Sequence, residues 1–206
     1  MITLYAVPGA CSLSPHIVLE ELKIPYELKL FGWKDAAMRD ELKKQNPMGQ
    51  VPTIITDEGY PLAEGAVILQ YLVSKKPNTL LPTSGKERFK ALEWLNFVGT
   101  ELHKSFIPLF NPKVFSDDES HLEAIRQKAK TRLEKYLGVT EKRFSDGDYC
   151  VGNNFTIADV YLFVVLNWLG HFKIDLAPYT KLKAFCDRVS RRPSVIAAMK
   201  SEGLLQ

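Results

Sequence analysis

Pro8-Gly9-Ala10-Cys11-Ser12-Leu13-Ser14-Pro15-His16 lies between a strand-like run at residues 2–7 and a helix-like run that begins near Leu13. A helix start carries unpaired backbone N–H groups and the positive end of the helix dipole. A thiol held there is drawn toward thiolate, the form that reacts. A strand, a glycine turn and a thiol at a helix mouth are what a thiol-handling fold needs at its beginning.

The pattern continues outward from this turn. Ile17, Val18 and Leu22 keep helical spacing, which predicts a helix over Leu13–Leu22. Residues 26–31 alternate as a second strand, and Ala36–Gln45 is rich in helix formers. Asn46-Pro47-Met48-Gly49 is a turn. Residues 51–56 and 60–63 read as two short strands joined at Asp57-Glu58-Gly59, and residues 64–74 as a helix. The order β-α-β-α-β-β-α implies a parallel pair followed by an antiparallel hairpin. This predicts an α/β thioredoxin-like domain over residues 1–76.

Residues 77–85 hold two prolines and a glycine and read as a linker. Residues 86–206 show no strand pattern of any length and predict an all-α helical bundle. One helix is expected over residues 86–106, ended or bent by Pro108 and Pro112. A long charged amphipathic helix is expected over residues 119–144. In Asn154-Phe155-Thr156-Ile157-Ala158-Asp159, Thr156 and Asp159 have capping-box spacing, and Phe155 and Val160 the spacing of a hydrophobic staple. The apolar run that follows predicts a buried central helix.

The 206 residues suffice for one or two domains with a proper core. Hydrophobic and charged contents of 46% and 25% are ordinary for a globular protein. A net charge of +3 without a basic stripe argues against a nucleic-acid partner. Arg188, Arg191 and Arg192 read as a solvated helix face. The first residues lack a basic leader followed by a long apolar stretch. The longest apolar run, residues 160–166, is far short of the ~20 needed to span a bilayer. Cysteines at 11, 150 and 186 have no metal-like spacing. A cytoplasmic, reduced protein without membrane, metal or nucleic-acid partners is expected.

Four pieces of the first domain are candidates for chemistry. Cys11 supplies a thiol. In Gly49-Gln50-Val51-Pro52 the residue before proline is extended, leaving its backbone groups to pair with a ligand strand. Glu64-Gly65 opens a helix, where exposed N–H groups suit a carboxylate and Glu64 suits an ammonium. The fourth piece is the turn at Pro8 and Gly9. Together they match γ-glutamyl-cysteinyl-glycine, which has a zwitterionic end and a central thiol. In the second domain, Asn96 and His103 are seven apart and share a face of a regular helix, with Lys104 on its flank. Trp168 and Phe172 are candidates to wall an apolar pocket, or simply to pack the core.

With Tyr5 and the Pro8–His16 stretch, several further segments carry a resemblance: Asn46-Pro47-Met48-Gly49-Gln50-Val51-Pro52, Glu64-Gly65-Ala66-Val67-Ile68-Leu69-Gln70-Tyr71-Leu72, Glu93-Trp94-Leu95-Asn96-Phe97, Glu101-Leu102-His103-Lys104 and Phe155-Thr156-Ile157-Ala158-Asp159. Over essentially its whole length, to Glu202-Gly203-Leu204, the chain resembles the glutathione transferases, most of all the bacterial beta class. The resemblance implies a homodimer that detoxifies a small hydrophobic electrophile, with glutathione as co-substrate. It implies that Cys11 lies beside the glutathione sulfur and can form a mixed disulfide with it. It implies that Gln50 and Val51, before a cis Pro52, hold the cysteinyl part, and that Glu64 and Gly65 hold the γ-glutamyl end. Many relatives carry Ser at the position of Gly65, so one hydroxyl bond is absent here. His103 and Lys104 match residues that line the active site, and Asn96 one that reaches the other subunit's glutathione.

Tyr5 and Ser12 are rival activators of the glutathione thiol, since other classes use a tyrosine or serine in this region. Two alternative functions follow from the same residues. One is monothiol glutaredoxin-like reduction through Cys11; Ser14, where a dithiol enzyme has its second cysteine, excludes a dithiol cycle. The other is a non-catalytic ligand-binding or regulatory relative.

Overall fold

A computed structural model of the chain describes residues 1–144 and 147–206. In chain order its elements are β1 Ile2–Ala6, α1 Leu13–Leu22, β2 Tyr26–Leu30, α2 Ala36–Gln45, β3 Thr53–Ile55, β4 Pro61–Ala63 and α3 Gly65–Ser74. There follow α4 Gly85–Phe97, a π-helical turn Val98–His103, α5 Ile107–Phe110, α6 Glu119–Arg143, α7 Ile157–His171, α8 Thr180–Val189 and α9 Pro193–Ser201. Two units emerge, one of Met1–Thr83 with Asp187–Gln206 and one of Ser84–Cys186.

The first unit holds a four-stranded sheet in the order β2-β1-β3-β4. β1 and β2 are parallel, while β3 is antiparallel to both β1 and β4. This is the thioredoxin-like layout the element order predicts. Leu4 and Ala6 of β1, Ile17 and Val18 of α1 and Leu69 and Leu72 of α3 are all fully buried, and α1 packs against α3. β3 is shorter than its apolar run. Pro52 has no N–H to give a ladder, and the pairing with β1 begins only at Thr53, opposite Tyr5. Val51 therefore lies outside the sheet.

The C-terminal segment differs from its expected place. Residues 187–206 group with the thioredoxin-like domain, and α9 packs on α1. The reason is polar as well as apolar. Glu21 of α1 receives both the Arg192 guanidinium and the Ser194 hydroxyl, and Glu202 meets the buried His16. Arg192 is thus an anchor of this segment, not part of a merely solvated face.

In the second unit, the helix expected over residues 86–106 is divided. Regular α4 gives way at Val98 to a π turn. Its i→i+5 bonds widen the turn and reduce the rotation per residue, so seven residues fall short of two full turns. The shared face of Asn96 and His103 is therefore lost. α7 is the buried central helix, with every residue from Ile157 to Leu166 buried. Its capping box forms as expected. The Asp159 carboxylate, fully buried, accepts from the Thr156 N–H at 2.8 Å, the Thr156 hydroxyl at 2.8 Å and the Cys150 N–H at 2.6 Å. Phe155 and Val160 are both buried. Arg143 of α6 bonds Glu93 at 2.9 Å and lies over the Trp94 ring, tying α6 to α4.

Candidate active site

The turn that carries Cys11 is built by its own backbone. The Ala10 N–H donates to the Val7 carbonyl, and Leu13 and Ser14 N–H groups donate to Ala10 and Cys11 carbonyls. Gly9 has φ +71, a conformation that favours glycine. Ser12 is fully buried. Its hydroxyl accepts from the Val7 N–H at 3.1 Å and donates to the Val7 carbonyl at 3.3 Å. That commitment removes Ser12 as a rival activator.

The thiol of Cys11, partly exposed at the start of α1, donates to the Val51 carbonyl at 3.0 Å. The Val51–Pro52 peptide is cis. Cys11 and Ala10 pack against Tyr5, Val7, Phe31, Leu42 and Val51. The Asn46 side chain holds the neighbouring loop, donating to the Gln50 carbonyl at 3.1 Å and to the Thr53 hydroxyl at 3.0 Å. Gln50 itself is exposed.

Tyr5 is close in packing but turned away in chemistry. Its hydroxyl donates to Glu41 of α2 at 2.8 Å, and Lys29 of β2 pairs with the same carboxylate. Burial and then the Glu41 bond raise the Tyr5 pKa. A phenol so held keeps its proton and directs it at Glu41, which does not suit activation of a thiol.

Glu64 precedes α3 with φ +65 and ψ 109, a backbone state that L residues rarely adopt. Its carbonyl accepts from Val67 and Ile68 N–H groups, and its side chain is exposed. The Glu64 side chain makes no capping bond to α3. The Gly65 and Ala66 N–H groups at the mouth of this helix suit an anion.

Sequence reasoning missed the residue that fixes the Cys11 turn from behind. Glu202 is 4% exposed. One of its oxygens accepts from the Gly9 N–H at 2.9 Å, and the other lies 2.8 Å from His16 Nδ1. His16 Nε2 meets the Tyr26 hydroxyl at 2.8 Å, which in turn donates to Glu20. The signal was present in His16, a polar residue on the apolar face of α1, but its partner is 186 residues away.

In the second unit, His103 closes the π turn. Its Nδ1 lies 2.6 Å from the buried Tyr161 hydroxyl, and its ring meets Trp168 edge-on at 4.8 Å. Desolvation, with a smaller push from Lys104, lowers its pKa to about 4, so the ring is neutral near pH 7. Lys104 and Asn96 are exposed. Trp168 and Phe172 join Phe106 and Phe110 in an aromatic cluster with centroid distances of 4.8–5.9 Å. Trp168 is buried in it, and Phe110 is 53% exposed.

Comparison with known proteins gives a consistent likeness. Residues 1–74 match the family described as glutathione S-transferase, N-terminal domain, and residues 97–193 match its C-terminal domain. The chain is 38% identical over 205 residues to glutathione S-transferase GstA of Escherichia coli O157:H7, covering 98% of each. Among solved structures it is similar to the bacterial beta class glutathione S-transferase of Sphingomonas chungbukensis, with 38% identity, a TM-score of 0.86, and 98% and 100% of the two chains covered. A sphingomonad glutathione S-transferase complexed with glutathione is similar at 36% identity and TM-score 0.86, with the same coverage.

Proposed function

We propose, on the premise that the chain belongs to the glutathione S-transferase family, that it conjugates glutathione thiolate to small hydrophobic electrophiles and exchanges disulfides through Cys11. One observation carries this reading. Cys11 Sγ lies 3.0 Å from the Val51 carbonyl, so a cysteinyl residue that pairs its backbone with Val51 brings its own sulfur to Cys11. Glu64 and the start of α3 at Gly65 then receive the ammonium and carboxylate of the γ-glutamyl end. The resemblance assigns His103 and Lys104 to glutathione as well, and Trp168 and Phe172 to the electrophile.

In conjugation the glutathione thiolate attacks the electrophilic carbon, a carbon–sulfur bond forms and the leaving group departs as an anion. In exchange the Cys11 thiolate attacks one sulfur of a glutathione disulfide. A Cys11–glutathione disulfide forms and glutathione thiolate leaves, taking up the proton Cys11 gave away. A cytoplasmic, reducing location belongs to the same proposal, as does the beta class. Among the described residues, no helix is long and apolar enough to cross a membrane. A homodimer is supported by Phe89, 70% exposed one heptad before the exposed Asn96 on α4.

The test compares turnover of glutathione with a chloronitrobenzene against turnover of a glutathione mixed disulfide, in the wild type and Cys11→Ala. Conjugation by the wild type supports the transferase reading. Turnover of the mixed disulfide alone, lost in Cys11→Ala, would favour the monothiol reductase. Absence of glutathione binding would remove both enzymatic readings, and unchanged exchange in Cys11→Ala would remove the role of Cys11.

A further inference from the structure

Tyr161 of α7 is buried, and its hydroxyl faces His103 Nδ1 at 2.6 Å. The two rings meet edge-on with centroids 5.9 Å apart, and the Trp168 ring closes on His103 at 4.8 Å. Gly99, in the same π turn, lies beside the phenol; a methyl group there would touch its ring at 3.5 Å and its oxygen at 3.8 Å. The imidazole is therefore held by aromatic walls, with one of its nitrogens directed at the phenol.

The direction of that bond decides what the other nitrogen offers. A phenol ionises near pH ~10, whereas the N–H of a neutral imidazole is a far weaker acid. The unprotonated imidazole nitrogen is also the more basic acceptor of the two. The favoured arrangement is Tyr161 O–H donating to Nδ1. A neutral ring whose Nδ1 accepts must carry its proton on Nε2.

We propose that Tyr161 is a positioning residue that sets the tautomer of His103, so that Nε2 is the ring's N–H donor. The proposal rests on the assignment of His103 to glutathione made above. It deepens that assignment by giving the histidine a chemical form: a neutral ring that offers an N–H without itself exchanging a proton. The π turn serves this role by ending at His103 and turning the ring toward α7.

The tautomer is read directly from long-range ¹H–¹⁵N correlation spectra of the histidine rings. The chain has four histidines, and His103→Gln identifies the signals that belong to His103. The wild type is expected to show an unprotonated Nδ1 and a protonated Nε2. Tyr161→Phe is expected to lose this bias and to lower kcat about tenfold, the worth of one good hydrogen bond, with KM for glutathione little changed. A protonated Nδ1 in the wild type would overturn the proposal, as would a tautomer unmoved in Tyr161→Phe. If Tyr161→Phe does not fold, the wild-type spectrum still decides. A wild type with no glutathione turnover would defeat the functional reading while leaving the tautomer result standing.

Discussion

Cys11 Sγ and the Val51 carbonyl oxygen, 40 residues apart in the chain, lie 3.0 Å from each other. The bond joins the thiol at the mouth of α1 to the backbone just outside β3. A carbonyl oxygen has two lone pairs, and the thiol takes up acceptor strength that a ligand amide donating to this carbonyl would otherwise have to itself. In the proposed complex the same bond holds the Cys11 side chain where a cysteinyl residue paired with Val51 would bring its sulfur. Attraction and competition are thus built into one contact.

The competition is measurable. Cys11→Ala removes the internal donor, and Cys11→Ser replaces a weak donor with a stronger one. A net hydrogen bond is worth about 0.5–1.5 kcal/mol. Glutathione is expected to bind Cys11→Ala about two- to tenfold more tightly than wild type, and Cys11→Ser more weakly, by titration calorimetry. Equal affinity in all three would show that the thiol does not contest the carbonyl.

Glu202 joins the C-terminal segment to the Cys11 turn through Gly9 and His16. Glu202→Ala removes the acceptor of the Gly9 N–H and one of the two partners of the fully buried His16. A buried polar group that loses its partner costs about 1–3 kcal/mol, so a loss of about 2 kcal/mol is expected in urea denaturation. Alkylation of Cys11 should become faster, because the turn that holds it loosens. A stability loss without any change at Cys11 would confine Glu202 to a scaffold role.

His103 gives the stability a pH dependence of known sign. Its pKa is about 4 in the fold against 6.5 unfolded. Between these values the unfolded chain binds a proton that the folded chain refuses, so acidification favours unfolding. The contribution is fully present above pH 6.5 and is lost as pH falls toward 4, by up to about 3 kcal/mol. His103→Gln should flatten this part of the stability curve, measured by urea midpoints from pH 7.5 to 4.5. Parallel curves for variant and wild type would place the titration elsewhere.

Local signals made most of the first unit, and the cap of the central helix in the second, legible. The thiol turn, the strand and helix order and the Thr156–Asp159 box each depend on residues a few positions apart, where periodicity and capping chemistry operate. What escaped depends on distance or on backbone detail. Glu202 finds His16 across the whole chain, so no local pattern announces it. The π turn at Val98–His103 departs from regular helix only in the step of its backbone bonds, and Val98-Gly99-Thr100 has no residue that demands it. Tyr5 belongs to the cluster that Cys11 packs against, yet its hydroxyl goes to Glu41 because β2 and α2 bring Lys29 and Glu41 together beside it. Element identity is written locally; side-chain partners are set by packing.

Glu64 separates backbone cost from ligand gain. Its φ of +65 is unfavourable for an L residue, a strain of about 1 kcal/mol. Its exposed carboxylate is the group proposed to meet an ammonium. Glu64→Gly relieves the strain and removes the carboxylate, whereas Glu64→Ala removes the carboxylate alone. Both are expected to weaken glutathione binding about ten- to a hundredfold, the range of one bond to a charged group. Only Glu64→Gly is expected to raise the urea midpoint. Paired calorimetry and denaturation check the two effects separately. Undiminished binding in both variants would remove Glu64 from the ligand. Equal stability of Gly and Ala would show that residue 64 adopts its conformation without cost, and that the strained backbone has no part in aiming the carboxylate.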